Sequence, residues 1–384
     1  MRVAIITENF LPKLDGVTRT LAKLLEYFQS HGHHALLLGP ESGMTEYAGA
    51  EIVGTAGVPL PFYPELRFNF FRPLFLRRLK AFQPDVIHLV DPVVLGMAGS
   101  VVARILGKPL VSSYHTNLAA YCEHFGFPRL VYPMWSYNRF LHNQCALTFC
   151  PSPSTAEMLR AHGFQRVRLW PRGVDTALFR PERRNAATRA SWLANEQKIV
   201  LLYVGRISWE KNLRLLTSAY RQMDHTRCHL VIVGDGPALR EIRQEVADLP
   251  VTFTGYLRGE ELASAYASAD LFAFPSRTET FGQVVLEAMA SGLPVVGLQA
   301  EGVRDSVEDG RTGYLLAGEP LTEQEEAVEY RKLLERLVER PERRQAMGVA
   351  ARHVASQHTW DEAMQSLLSG YLEVLAQEHP LVAA

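Results

Sequence analysis

Ser276-Arg277-Thr278-Glu279-Thr280-Phe281-Gly282-Gln283-Val284-Val285-Leu286-Glu287-Ala288-Met289-Ala290-Ser291-Gly292 places two carboxylates with seven residues between them, behind an apolar run from Leu271 to Phe274. The run reads as a strand. Val284, Val285, Ala288 and Met289 share one face of a helix that follows Gly282. Gly292 and Pro294 supply its stop. The spacing predicts Glu279 in a tight loop and Glu287 about two turns into the helix, ~9–12 Å further along the axis. Loop amides and a helix N-terminus between two such groups favour a bound anion.

The rest of the chain repeats this strand–loop–helix grammar. Residues 2–7 are an apolar strand, and Leu21, Leu24, Leu25 and Phe28 follow at helical spacing before Gly32 and the next strand, Ala35 to Leu38. This is the opening of a parallel sheet. Further strands fall at 86–89, 110–114, 147–150 and 167–169, with helical patterns at 95–106, 128–142 and 155–162. Pro171 to Gln197 is polar and carries Pro171, Gly173, Pro181 and the run Glu182-Arg183-Arg184, which marks a boundary. A second series then starts at Ile199 to Val204, with Asn212 expected to cap one helix and Pro237 to open the next. Strands at 229–233, 251–254, 271–274 and 294–298 continue it, and the tail from Leu321 is helical in several pieces. The fold class is α/β, with two Rossmann-like halves.

With 384 residues the chain is longer than one core usually serves. Apolar residues make up 47% and charged ones 21%, as in globular proteins. Forty basic residues against forty-one acidic ones leave no global field, which argues against a bulk nucleic-acid binder. The N-terminus lacks a signal pattern and no apolar run reaches spanning length, so a cytoplasmic protein is expected. Cys122, Cys145, Cys150 and Cys228 show no framework spacing and read as reduced thiols. No G-x-G-x-x-G follows the first strand, and the phosphate-loop, G-x-S-x-G and H-E-x-x-H patterns are missing. No cofactor and no metal are therefore expected.

Arg206 and Lys211 share one strand-to-helix loop, where a guanidinium fork and an ammonium suit a diphosphate. The plain alternative is two surface charges. Glu279 and Glu287 could form an acid/base pair for glycoside hydrolysis, which needs two facing carboxylates. Their offset along a helix suits two grips on one ligand better: Glu287 on a ribose diol, Glu279 on a sugar hydroxyl. The alternatives are a surface helix residue for Glu287 and a capping carboxylate for Glu279. His115 ends a strand, where functional side chains collect, although isolated histidines are mostly structural. Residues 59–80 mix Phe62, Tyr63, Phe68, Phe70 and Phe71 with Arg67, Arg72, Arg77, Arg78 and Lys80 in a partly helical stretch broken by prolines. Such a stretch suits an anionic membrane surface, or a solvated helix face beside a core seam.

Taken together, Ser276 to Gly282 and Glu287 to Pro294 resemble the E-x7-E motif of retaining family 4 glycosyltransferases. Val204-Gly205-Arg206 with Glu210-Lys211 resembles their phosphate loop, Gly173-Val174-Asp175 their interdomain turn, and Asp15-Gly16-Val17 their first glycine loop. Ser113-Tyr114-His115-Thr116 and Arg172-Gly173-Val174-Asp175 look most like bacterial GDP-mannose-dependent α-mannosyltransferases of glycolipids and sulfoquinovosyldiacylglycerol synthases. The resemblance implies the GT-B fold: two Rossmann-like parallel-sheet domains facing across a cleft, an acceptor-side domain at 1–172, a donor domain at 173–357, and a C-terminal helix at 358–384 crossing back to the first. It implies transfer of a mannose- or glucose-type hexose from a GDP- or UDP-linked donor to a lipid or glycolipid by front-face displacement, without metal. The alternatives are a soluble sugar or metabolite acceptor, or a two-lobed binding protein without catalysis.

By the same resemblance, Arg206 and Lys211 hold the diphosphate, Glu287 the ribose, and Glu279 with Thr280, Phe281 and Gly282 the donor sugar. His115 contacts the sugar from the first half, and Asp15 and Gly16 admit the phosphate. Residues 62–80 correspond to a stretch that meets the membrane in lipid-acceptor members, which implies peripheral attachment to the inner face of the cell membrane. Two departures stand out. Asp91 lies near where many members carry a histidine, and Glu301-Gly302 replaces a frequent Gly-Gly.

Overall fold

The computed structural model describes residues 1–12, 15–60, 63–124, 126–192, 198–317 and 321–378, the side chains of 59–68, 124 and 378 excepted. The chain divides into two compact units. The first comprises Met1–Arg172 and Trp360–Ala384, and the second Gly173–Thr359.

The strands of the first unit are β1 (Arg2–Thr7), β2 (His34–Pro40), β3 (Glu46–Tyr47), β4 (Ala50–Thr55), β5 (Gly57–Leu60), β6 (Tyr63–Asn69), β7 (Val86–Val90), β8 (Leu110–Ser113), β9 (Leu147–Cys150) and β10 (Val167–Leu169). Eight of them form one sheet in the order β10-β9-β8-β7-β1-β2-β4-β3. All neighbours in it are parallel except β3 and β4. Both faces are covered, which is why β1 and β7 are apolar without alternation. One face packs on the helix Gly16–Ser30 and on the helix Trp360–Glu378, through Leu21, Leu25, Leu367 and Tyr371. The other packs on the helices Pro73–Phe82 and Val94–Leu106, through Phe75, Leu79, Leu95 and Val102.

The second unit holds β11 (Ile199–Val204), β12 (Cys228–Val233), β13 (Val251–Gly255), β14 (Leu271–Phe274), β15 (Val295–Leu298) and β16 (Gly313–Leu316) in an all-parallel sheet ordered β13-β12-β11-β14-β15-β16. Counted from its first strand this is the doubly wound order 3-2-1-4-5-6. The order reverses between β11 and β14, so the loops after those two strands flank the switch point, where ligands of such sheets bind.

Several expectations need correction. The stretch 59–80 is partly helical as expected, through Pro73–Phe82, but the antiparallel ribbon of β5 and β6 over 57–69 was not anticipated. Prolines are tolerated in such a two-stranded ribbon, because it has only edges. Phe62 lies outside the described residues, as do the side chains of Tyr63, Arg67 and Phe68. On the helix, Phe75 and Leu79 are fully buried while Arg72, Arg77, Arg78 and Lys80 are exposed. Its apolar side is therefore spent on the core. Strands β3, β4 and β16 were not anticipated. Asn212 stands at the start of the helix Leu213–Arg221 with φ 55° and makes no side-chain cap bond. The helix after Pro237 begins only at Leu239.

Candidate functional site

The loop after β11, residues 205–212, is held by backbone contact with the loop after β12. Ile207 N–H donates to the Asp235 carbonyl at 2.9 Å, and Ala238 N–H to the Ile207 carbonyl at 3.0 Å. Two glycines allow this approach: a Cβ on Gly234 would stand 1.9 Å from Gly205 O, and one on Gly236 2.3 Å from Ile207 O. The Tyr203 hydroxyl, anchored in the core, donates to the Arg206 carbonyl at 2.9 Å. Arg206 itself is half-buried.

The loop after β14 meets this one directly. Lys211 Nζ donates to Glu279 Oε1 at 2.6 Å, with the two side chains only 16% and 17% exposed. Ser276 Oγ donates to the same oxygen at 3.0 Å, and Thr278 Oγ1 to the Glu210 carbonyl at 3.1 Å. The structure thus joins the candidate phosphate cation and the candidate sugar carboxylate into one pair. An ammonium carries three donors, so pairing with Glu279 is compatible with a second acceptor such as a phosphate oxygen.

Gly282, at φ 78°, ends the loop and starts the helix Gln283–Ala290. Only a glycine adopts that conformation without strain. Glu287 is consequently the fifth helical residue, just past one turn, and the two-turn offset expected from the spacing does not hold because Glu279 to Gly282 are not helical. Nor is Glu287 a surface residue. It is 2% exposed, and the Tyr266 hydroxyl donates to its Oε2 at 3.1 Å. Gly302 backs the loop, since a Cβ there would stand 2.8 Å from both Glu279 O and Phe281 N. This close approach leaves no room for a side chain at Gly302. Thr280 and Phe281 lie between the pair and the helix start, and Gln283 Nε2 donates to the Gly173 carbonyl at 2.9 Å.

In the first unit, Asp15 caps its own helix: its Oδ1 accepts from Thr18 N–H at 2.9 Å, and Thr18 Oγ1 accepts from Asp15 N–H at 3.0 Å. Gly16 follows with nothing within 4 Å of where its Cβ would lie. Glu8, just past β1, accepts from the amides of Val93, Leu95 and Gly96 and fixes the start of the helix Val94–Leu106. Asp91 accepts from the amides of His115 and Thr116 at 2.8 and 3.0 Å, which positions the turn after β8. Neither role is legible in the sequence.

His115 is 7% exposed, with both ring nitrogens engaged. Arg172 Nη2 donates to Nδ1 at 2.6 Å, so Nε2 carries the proton and donates to Ser113 Oγ at 2.8 Å. Ser113 Oγ also hydrogen-bonds His88 Nε2 at 2.9 Å, and His88 Nδ1 hydrogen-bonds the Tyr371 hydroxyl at 2.6 Å. The ring expected to touch a sugar is thus one link in a buried chain that ends on the helix Trp360–Glu378. Sequence reading missed Arg172 and Ser113 as its partners, although both lie in the stretches that carry the family resemblance.

Burial keeps these histidines neutral. It pulls His142 and His88 down to about 3 and His115 well below the usual imidazole range, with Arg172 adding to the effect on His88 and His115. An unfolded chain takes up protons near pH ~6.5. The folded histidines refuse them, so their contribution to stability is present above ~6.5 and is lost as pH falls toward 3. Burial raises the carboxyls of Glu8 and Asp91, which act in the opposite sense. The test is therefore a difference. His142→Asn keeps an acceptor for Ser112 Oγ, which lies 2.8 Å from His142 Nδ1, and is expected to flatten the loss of urea stability between pH 7.5 and 5.

Comparison with known proteins fits this geometry. Residues 14–178 match the family described as Glycosyltransferase Family 4, and residues 185–354 the family described as Glycosyl transferases group 1. A GDP-mannose-dependent alpha-mannosyltransferase of Corynebacterium glutamicum is 35% identical over 98% of this chain and 90% of its own. An alpha-monoglucosyldiacylglycerol synthase of Streptococcus pneumoniae is 29% identical over 83% of this chain and 76% of its own. Among solved structures, Anabaena HepE in complex with UDP-glucose superposes with a TM-score of 0.77, covering 97% of this chain and 100% of that one at 21% identity. That last likeness is one of fold.

Proposed function

Because this chain belongs to the family 4 glycosyltransferases of GT-B fold, we propose that it moves a mannose- or glucose-type hexose from a nucleoside-diphosphate donor to a lipid or glycolipid acceptor, with retention of configuration. The observation that carries the reading is the Lys211–Glu279 pair at the switch point of the second sheet. One cation and one acceptor, held within a single hydrogen bond, match a donor whose diphosphate adjoins a hydroxyl-rich sugar. The relatives named for GDP-mannose and for a glucosyldiacylglycerol support the donor and acceptor classes.

The step is a front-face displacement. The bond from the anomeric carbon to the diphosphate oxygen breaks as the acceptor hydroxyl bonds to the same face, and the departing phosphate takes the hydroxyl proton. Arg206 and Lys211 stabilise the charge that develops on the leaving diphosphate, a role in which one well-placed donor contributes ~10²–10³ in rate. These cations and the start of the helix Gln283–Ala290 do this without a divalent metal. Glu279 orients sugar hydroxyls together with the amides of Thr280, Phe281 and Gly282. Glu287, backed by Tyr266, takes the ribose diol. Gly16, with nothing within 4 Å of where its Cβ would lie, leaves room for phosphate beside the helix start that Asp15 caps. His115 is assigned to positioning the turn after β8, since its ring nitrogens already have partners.

Among the described residues no helix is long and apolar enough to cross a membrane. Attachment to the inner face of the cell membrane would be peripheral, with Arg72, Arg77, Arg78 and Lys80 attracting anionic headgroups. The test follows nucleoside diphosphate release from GDP-mannose, and from UDP-glucose, with and without a lipid acceptor extract. Release that rises only with the extract, and yields a glycosylated lipid by mass spectrometry, is expected. Release with soluble sugars alone would replace the lipid acceptor, and no release with any donor would overturn the reading.

A further inference from the structure

The helix Val94–Leu106 turns its small residues inward and a row of large apolar ones outward. Beside Leu95 and Val102, its sheet-facing side carries Gly96 and Gly99, and a Cβ on Gly99 would stand 2.8 Å from Ile6 Cδ1 and 2.9 Å from Leu89 Cδ2. Met97, Val101 and Ile105 recur every fourth residue on the outside and are 41%, 50% and 66% exposed. A helix apolar all round belongs in an interior or against lipid. This one lies on the surface.

The apolar face extends to a neighbour. The helix Val131–Asn143 runs alongside, tied by the Tyr137 hydroxyl to the Val93 carbonyl at 2.6 Å and by Arg104 to Gln144, which follows that helix, at 2.5 Å. Phe140, one turn before Gln144, is 60% exposed, and Tyr132 is 77% exposed. The charge along this stretch is predominantly basic. From Pro92 to Ala156 the sequence holds a single acidic residue, Glu123, against Arg104, Lys108, Arg129 and Arg139. The exposed cations of the helix Pro73–Phe82 lie on the same side of the sheet, because that helix and Val94–Leu106 share one core cluster.

We propose that the outer face of the helices Val94–Leu106 and Val131–Asn143 docks on an anionic lipid bilayer. Met97, Val101, Ile105 and Phe140 enter the boundary between headgroups and acyl chains, and the surrounding arginines and lysines meet headgroup phosphates. A second copy of the chain is a poorer occupant. A two-fold interface sets each patch against itself and would bring this basic rim onto its own image. Apolar insertion is thereby assigned to a surface other than the helix Pro73–Phe82, which spends Phe75 and Leu79 on the core. The proposal does not rest on the transfer reading, since docking is read without donor or acceptor.

The test is co-sedimentation of the full chain with vesicles of phosphatidylcholine alone and of phosphatidylcholine mixed equally with phosphatidylglycerol. Binding to the mixed vesicles is expected to exceed binding to the neutral ones and to fall with salt. Met97→Gln/Val101→Ser/Ile105→Gln is expected to lose ~10-fold or more of that binding, by removal of apolar area that water already sees. Ile105→Gln alone, at the most exposed of the three positions, is expected to lose part of it with an unchanged melting temperature. Lys108→Glu/Arg129→Glu is expected to weaken binding to mixed vesicles only. The proposal is overturned if the chain ignores mixed vesicles, or if both apolar variants bind as the parent does. It is also overturned if the parent is a dimer in solution that the triple variant splits.

Discussion

Lys211→Ala is expected to lower acceptor-dependent release of nucleoside diphosphate by ~10²–10³-fold, the effect of removing one preorganised donor from a developing negative charge. The second unit is expected to stay folded. Lys211 lies in the short turn Trp209–Lys211, and its ammonium pairs with Glu279 at 2.6 Å within the site itself. Losing that partner leaves the Glu279 carboxylate, 17% exposed, with Ser276 Oγ still donating to it, at a stability cost of ~1–3 kcal/mol. The structural and catalytic parts separate in the double variant Lys211→Met/Glu279→Gln. It removes both charges, so much of the lost stability is expected to return while turnover stays low. Lys211→Ala with normal turnover would remove the diphosphate role. A double variant that recovers turnover together with stability would show that the pair is only a structural brace.

Lys211 and Glu279 illustrate what the sequence carries and what it does not. Each was legible from its place between a strand and a helix, yet the hydrogen bond between them spans 68 positions. It exists because the strand order reverses, setting β11 beside β14, and no local pattern encodes that adjacency. The parallel strands were legible because burial on both faces makes them continuously apolar. Short edge strands such as β3 and the ribbon of β5 and β6 lack that signature. His115 was legible as a strand-end residue but not as a buried one. Its partner Arg172 lies 57 positions away, and the chain of bonds through His88 ends on Tyr371, in a helix that returns from the far end of the sequence. The helix Val94–Leu106 shows the limit from another side. With apolar residues on most of its circumference, its periodicity does not say which face meets the sheet, and the close approach of Gly99 to Ile6 and Leu89 decides it.

Close approach also underlies the second large effect, expected for Gly234→Ala. The alanine Cβ would lie 1.9 Å from the Gly205 carbonyl oxygen, and φ at Gly234 is 141°, a conformation that side-chain-bearing residues rarely adopt. Relief requires the loop carrying Arg206 and Lys211 to move by about an ångström, the scale at which misplacement of catalytic groups costs ~10²-fold. Overpacking of this kind also costs ~1–3 kcal/mol. Gly234→Ala is therefore expected to weaken nucleoside diphosphate binding in calorimetry and to lower the melting temperature. Gly16→Ala gives the contrast. Nothing lies within 4 Å of a Cβ there, so the fold has no reason to change. If Gly16 serves phosphate approach, its alanine variant is expected to lose affinity at an unchanged melting temperature. Gly234→Ala with parental affinity would show that the loop after β11 does not need its present position, and the diphosphate would have to be placed elsewhere. Gly16→Ala with parental affinity would confine donor binding to the second unit.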